Sequence, residues 1–168
     1  MEIRYAGSED DWADIGRIYQ KSWQWAYRGL LPQPYLDALS PERWGDGAKH
    51  PNLHTLVCAE EGRLVGVSAF CPSRFPAYAG WGEIVSLYLL PEAAGRGLGR
   101  ALLAAASAGL REMGYADQFL WVLEGNARAI RFYERAGFVP SGDVLPDTIG
   151  GKPVRELRCI RRGHSQRT

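Results

Sequence analysis

A β-rich run from Glu83 to Leu90 stops at Pro91 and passes through Glu92-Ala93-Ala94-Gly95-Arg96-Gly97-Leu98-Gly99-Arg100 into a helical pattern. No other segment constrains the chain as strongly. The first amides of a helix have no intrahelical acceptor. Glycines let a turn take positive φ and let a ligand approach the backbone closely. Amides converging at the positive end of a helix dipole make a phosphate site. A plain helix-entry turn is the competing reading. A Walker loop is excluded, because no Gly-Lys-Ser/Thr follows. A Rossmann loop fits poorly: Gly95, Gly97 and Gly99 alternate instead of following G-x-G-x-x-G, and the preceding strand sits mid-chain. A pyrophosphate site of another kind remains.

The rest of the chain supplies the frame. Residues 2–6 alternate as an opening strand, and Ser8 is the expected cap of a helix carrying Trp12, Ile15, Tyr19 and Trp23 at helical spacing. Pro32 or Pro34 opens a short helix through Leu39, and Ser40-Pro41-Glu42-Arg43 reads as another cap with proline at the first helical position. Leu53–Glu60 and Arg63–Phe70 form a hairpin turning at Glu61-Gly62, followed by a loop over 72–81. The helix over 97–113 presents Leu102 or Leu103, Ala106, Leu110 and Met113, and Gly114 ends it. Gln118–Leu123 is a buried strand. A helix capped by Asn126 runs to Ala136-Gly137. Strands near 138–144 and 153–160 join through Gly150-Gly151. The order β-α-α-β-β-β-α-β-α-β-β predicts a mixed α/β (α+β) sheet of about seven strands flanked by helices.

Composition narrows the function. A chain of 168 residues suits one domain, expected over 1–163, with a disordered tail over 164–168. A net charge of +1 offers no pull toward nucleic acid or membrane. Cys58, Cys71 and Cys159 are odd in number and widely spaced, which argues against disulfides and against a metal site. Each lies in or beside an apolar stretch and reads as a buried thiol. With no signal-peptide pattern, the expected location is cytoplasmic.

A second segment, Asn126-Ala127-Arg128-Ala129-Ile130-Arg131-Phe132-Tyr133-Glu134-Arg135-Ala136-Gly137-Phe138, follows a strand and precedes one. Asn126 and Tyr133 are seven residues apart, about two turns, and share a helix face. Together the two segments resemble the GNAT superfamily of acetyl-CoA-dependent N-acetyltransferases. Its pyrophosphate loop, Gln/Arg-x-x-Gly-x-Gly/Ala, falls on residues 94–99 with Ala94 in the first position. Its Asn-x-x-Ala-x-x-x-Tyr-x-x-x-Gly-Phe segment falls on residues 126–138.

The resemblance implies the GNAT fold and acetyl-CoA as co-substrate. It implies that the amides of Gly95, Arg96, Gly97, Leu98, Gly99 and Arg100 hold the CoA pyrophosphate. It also implies that the backbone of Leu87, Tyr88 and Leu89 pairs with the pantetheine arm as an added strand. Asn126 belongs to the same site, and Tyr133 sits by the CoA sulfur as general acid.

Amide formation from a thioester needs a deprotonated amine, donors for the oxyanion and a proton for the departing thiolate. Tyr133 is the candidate for the last role, and the Leu89 amide for the second. Glu83 is the candidate base, acting through a water, with structural pairing as its competing reading. Alternation places residues 83, 85, 87 and 89 on one face. Some family members carry a glutamate on the following strand where this chain has Trp121, and Glu124 is an outside candidate.

The resemblance places the acceptor site among the early helices and the loop before the fourth strand, which hold Trp23, Trp25, Tyr27, Tyr35, Trp44, Phe75, Tyr78 and Trp81. These line a pocket for a small amine, or form ordinary core, or a homodimer surface. The leading function is N-acetylation of a small-molecule primary amine in a ternary complex. The alternatives are a peptide or protein N-acetyltransferase and a non-catalytic acyl-CoA sensor.

Overall fold

The computed structural model describes residues 1–163, so the expectation for the tail over 164–168 lies outside the described residues. Glu2–Tyr5 (β1), His54–Glu60 (β2), Arg63–Pro72 (β3) and Gly82–Leu89 (β4) form an antiparallel half-sheet. Gln118–Leu123 (β5), Val139–Ile149 (β6) and Lys152–Arg161 (β7) form the other half. The seven-stranded order is β1-β2-β3-β4-β5-β7-β6, with one parallel pair, β4–β5, at its centre. This is the mixed sheet expected from the element order.

Trp12–Ala26 (α1), Gln33–Asp37 (α2) and Pro41–Ala48 (α3) precede β2, so there are three early helices rather than two. The cap of α1 is Asp11, whose side chain accepts from the Ala13 amide at 2.8 Å, and not Ser8. Arg4 explains the shift. Its guanidinium donates twice to Asp10 at 2.8 Å, and Asp10 also takes the Gly7 amide, which holds residues 7–10 in a turn outside the helix. Ser40 caps α3 as expected.

Leu98–Glu112 (α4) and Ala127–Arg135 (α5) flank the parallel pair. Leu102, Leu103, Ala106 and Leu110 of α4 are buried in the main core, whereas Met113 is 38% exposed because it lies past the last helical turn. The last hairpin is longer than expected, since β6 and β7 stay paired out to Ile149↔Lys152 beside the Gly150-Gly151 turn.

Two packing details set the side chains around β4. The helices α1 and α3 touch at Gly16 and Gly45, where a Cβ on either would collide with the other helix's backbone. This contact brings Trp44 onto Tyr19, at 5.4 Å, and onto Trp23, at 4.8 Å. Second, β4 carries a bulge. Ser86 pairs with Ala69 and Ile84 with Phe70, which leaves Val85 as an extra residue. A Cβ on Gly82 would meet Leu110 of α4, and Leu89 also packs toward α4 beside Gly66 and Gly99. The expected alternation of 83, 85, 87 and 89 therefore fails at Val85. Glu83 turns to the opposite face, that of Ser86 and Tyr88, toward α1.

Candidate active site

After the pairs Gly82↔Gln118 and Glu83↔Phe119, β4 and β5 diverge. The edge of β4 that faces β5 is thus left without a partner. Leu90 donates its amide to the Val65 carbonyl on the β3 side, so alternation along the strand turns the Leu89 and Leu87 amides toward the opening. A cleft of about 540 Å³ fills this gap and runs to the glycine loop, lined there by Ala94, Gly95, Gly97, Gly99 and Arg100.

Gly95 has φ +77° and Gly97 has φ +83°, where it caps α4. Both conformations favour glycine, and a Cβ on either would meet nothing within 4 Å, so the space above the loop is open. The amides from Gly95 to Arg100 donate to no backbone carbonyl among the described residues. Pyrophosphate fits such a cradle of free donors at a helix N-terminus. Only main-chain groups of Arg96 and Leu98 are available: the Arg96 guanidinium is ion-paired with Glu60, and Leu98 is buried beneath the loop.

The opposite wall is α5. Asn126 caps it by accepting from the Ala129 amide at 3.3 Å. Tyr133 lines the same cleft two turns on, with its ring edge-on to Phe132 and Phe138. Burial pushes its hydroxyl well above the ordinary tyrosine value, so it stays protonated and able to donate. The Arg128 guanidinium lies 4.3 Å over the Trp25 ring and joins α5 to α1 across the cleft. Nothing in the motifs marks Trp25 as a cleft residue.

A second cavity, of about 320 Å³, lies on the α1 side and shares Tyr27, Ile84, Val85, Ser86, Tyr88 and Trp121 with the cleft. Tyr19, Trp23 and Trp44 complete its aromatic wall. Tyr19 hydrogen-bonds Ser86 Oγ at 2.8 Å, and the Tyr27 and Tyr88 hydroxyls are 3.4 Å apart. Burial raises both of the latter, Tyr27 to about 12.

Glu83 is fully buried in this chamber and accepts three hydrogen bonds from Arg74: from Nη2 at 2.6 Å, from Nε at 3.1 Å and from the backbone amide at 3.1 Å. Glu156 of β7 lines the same chamber. Of the aromatic residues considered for an acceptor pocket, Trp23, Tyr27 and Trp44 are brought together. Tyr35 of α2 packs in the second apolar cluster behind Tyr27, Trp23 and Trp44 and does not line the chamber. Tyr78 and Trp81, with Phe119, instead enclose the buried Arg158 guanidinium at 3.5, 4.9 and 4.7 Å. Phe75 packs beside them, 6.1 Å from Tyr78 and 6.2 Å from Phe119. Glu124 pairs with Arg155 at the surface, away from both cavities.

A parallel strand pair splayed open beside a loop of free amides fits the acyl-CoA-dependent N-acyltransferase class that the sequence resembles. The comparisons agree. The description "Acetyltransferase (GNAT) family" matches residues 12–138. The uncharacterized N-acetyltransferase YuaI of Bacillus subtilis (strain 168) is 34% identical over 136 residues, 80% of this chain and 78% of that one. A spermidine N(1)-acetyltransferase of Thermoplasma acidophilum is 26% identical over 165 residues, covering 94% and 97%. The solved PaiA N-acetyltransferase of the same organism, in complex with coenzyme A, shares the fold with a TM-score of 0.74 at 21% identity, covering 96% and 99%. The chain belongs to the GNAT acetyltransferase family and is an acyltransferase.

Proposed function

We propose that this protein moves an acetyl group from acetyl-CoA to the primary amine of a small molecule, by direct attack in a ternary complex. The observation that carries this reading is the shared wall. Cleft and chamber meet along Val85, Ser86 and Tyr88, where β4 leaves β5. A pantetheine arm paired along Leu87–Leu89 would bring its thioester to that seam, and an amine in the chamber would reach it from the other side. The gain is mainly proximity. The Leu89 amide would donate to the oxyanion, and Tyr133 would protonate the thiolate.

An acyl-enzyme route finds little support. Cys58, Cys71 and Cys159 are buried, and burial raises all three thiols, Cys71 to about 11. Glu83 is poorly suited to direct base work, since the Arg74 guanidinium holds both carboxylate oxygens. A cavity of about 320 Å³ walled by α1, α3 and the last hairpin suits a small molecule better than a peptide, which needs an open groove.

The test is calorimetric titration with acetyl-CoA, followed by a panel of amines scored for release of free thiol. Binding with amine-dependent thiol release is expected. Binding with no release from any small amine would replace this reading with a protein substrate or a sensor.

A further inference from the structure

The chamber's two carboxylates differ sharply. Glu83 is neutralised by Arg74. Glu156 makes no hydrogen bond or ion pair among the described residues. Along β7, Leu157 and Cys159 turn to the main core, so Glu156 shares the other face with Val154 and Arg158. The groups around it are Asp147 on β6, Arg74 and Glu83 across the chamber, and the Tyr27 and Tyr88 hydroxyls. With Glu83 and Arg74 cancelling, Glu156 leaves one negative charge in a wall of aromatic rings. A half-buried carboxylate among rings is unfavourable until a cation joins it, and the rings themselves attract a cation. Burial first, and then Asp147, raise the Glu156 carboxyl, while Arg74 opposes them. The Trp121 indole N–H in the same wall is buried without an acceptor, and that of Trp23 lies beside the Tyr88 hydroxyl without closing a hydrogen bond. The Trp121 donor is left for an acceptor atom on the occupant's body, since an ammonium can only donate.

Resting on the acetyl-transfer reading, we infer that Glu156 receives the ammonium of a primary monoamine on a compact aromatic or apolar body and takes a proton from it. The nitrogen lone pair then forms the N–C bond to the thioester carbon, and the carbonyl π pair moves to oxygen. Collapse of that oxyanion breaks the C–S bond. The second proton on nitrogen replaces the one that Tyr133 gives to the thiolate, and the proton on Glu156 passes to water. The products are the amide, free CoA and one proton. Among the residues lining the chamber Glu156 is the one unpaired charge, with Asp147 behind it on β6 and outside the lining, so the chamber itself seats one ammonium.

The experiment compares wild type with Glu156→Gln, using tyramine and spermidine as probes. Acetyl-CoA affinity, unchanged in the variant, serves as the folding control. With CoA present, wild type binds tyramine at least about tenfold more tightly than spermidine, and the variant loses about tenfold or more in tyramine affinity. In turnover, kcat/KM for tyramine falls about 100-fold. The acid limb that Glu156 sets in the wild type is replaced in the variant by a rise at higher pH that follows the free amine's own ionisation. Equal binding and an unchanged pH profile in the variant overturn the inference, as does a preference for spermidine or no tyramine binding by wild type. Tyramine bound without thiol release overturns acetyl transfer instead, while the binding comparison still judges Glu156.

Discussion

The cleft on the β5 side of β4 offers main-chain donors along the glycine loop and the open strand edge, whereas the chamber on the α1 side offers side chains. Amides from Gly95 to Arg100 and the open edge of Leu87–Leu89 come from one continuous stretch. The chamber draws Tyr19 and Trp23 from α1, Trp44 from α3, Tyr88 from β4, Trp121 from β5 and Glu156 from β7. A main-chain site is expected to tolerate changes of residue type as long as the backbone conformation survives, Ala94 at the first loop position included. A side-chain site changes with each substitution, so the chemistry that varies within a family is expected there.

Variants confined to one cavity should leave the other untouched. The largest effect is expected from Tyr133→Phe, with kcat reduced about 100-fold or more and acetyl-CoA affinity unchanged. Steady-state rates beside calorimetry check this, and a normal kcat removes Tyr133 from the acid role. Next is Gly45→Ala. Its Cβ would collide with the Trp12 carbonyl and push α3 off α1, at a cost of about 1–3 kcal/mol. Thermal denaturation and a raised amine KM should report it, with acetyl-CoA affinity retained.

Two carboxylates give smaller effects of opposite sign. Burial raises the folded-state value of Glu156 above the unfolded one. Stability from that group is fully present below about pH 4.3 and is lost as pH rises through the folded value. Glu156→Gln should therefore be more stable than wild type at neutral pH, with the difference vanishing in acid. Asp10 behaves conversely, because the Arg4 hydrogen bonds lower its value. Its contribution is present above about pH 3.9 and is lost as pH falls through the folded value. Asp10→Asn should cost about 0.5–1 kcal/mol at pH 7 and affect neither cavity. Melting curves across pH test both signs.

The same division governs how much the sequence reveals. The loop at Gly95–Arg100 and the helix from Asn126 to Gly137 are each one continuous stretch whose turns and caps follow local rules, while the role expected of Tyr133 comes from the family resemblance. The mixed seven-stranded sheet follows from element order, but the insertion of β7 between β5 and β6 does not. The face of Glu83 does not, because one inserted residue at Val85 reverses the alternation and nothing local announces a bulge. Neither does the chamber, since Tyr19, Trp23 and Trp44 meet only through the Gly16–Gly45 contact between helices separated along the chain. Glu156 carried a faint signal, a lone acid on the face shared by Val154 and Arg158. Ser8 misled because Asp10, two residues on, is held by Arg4 from β1.

Direct transfer requires both cavities to be filled at once and to meet at Val85. Initial rates measured while acetyl-CoA and the best amine of the panel are varied together test this most directly. Intersecting double-reciprocal lines are predicted, as a ternary complex requires. Parallel lines, the mark of an acyl-enzyme intermediate, would contradict it.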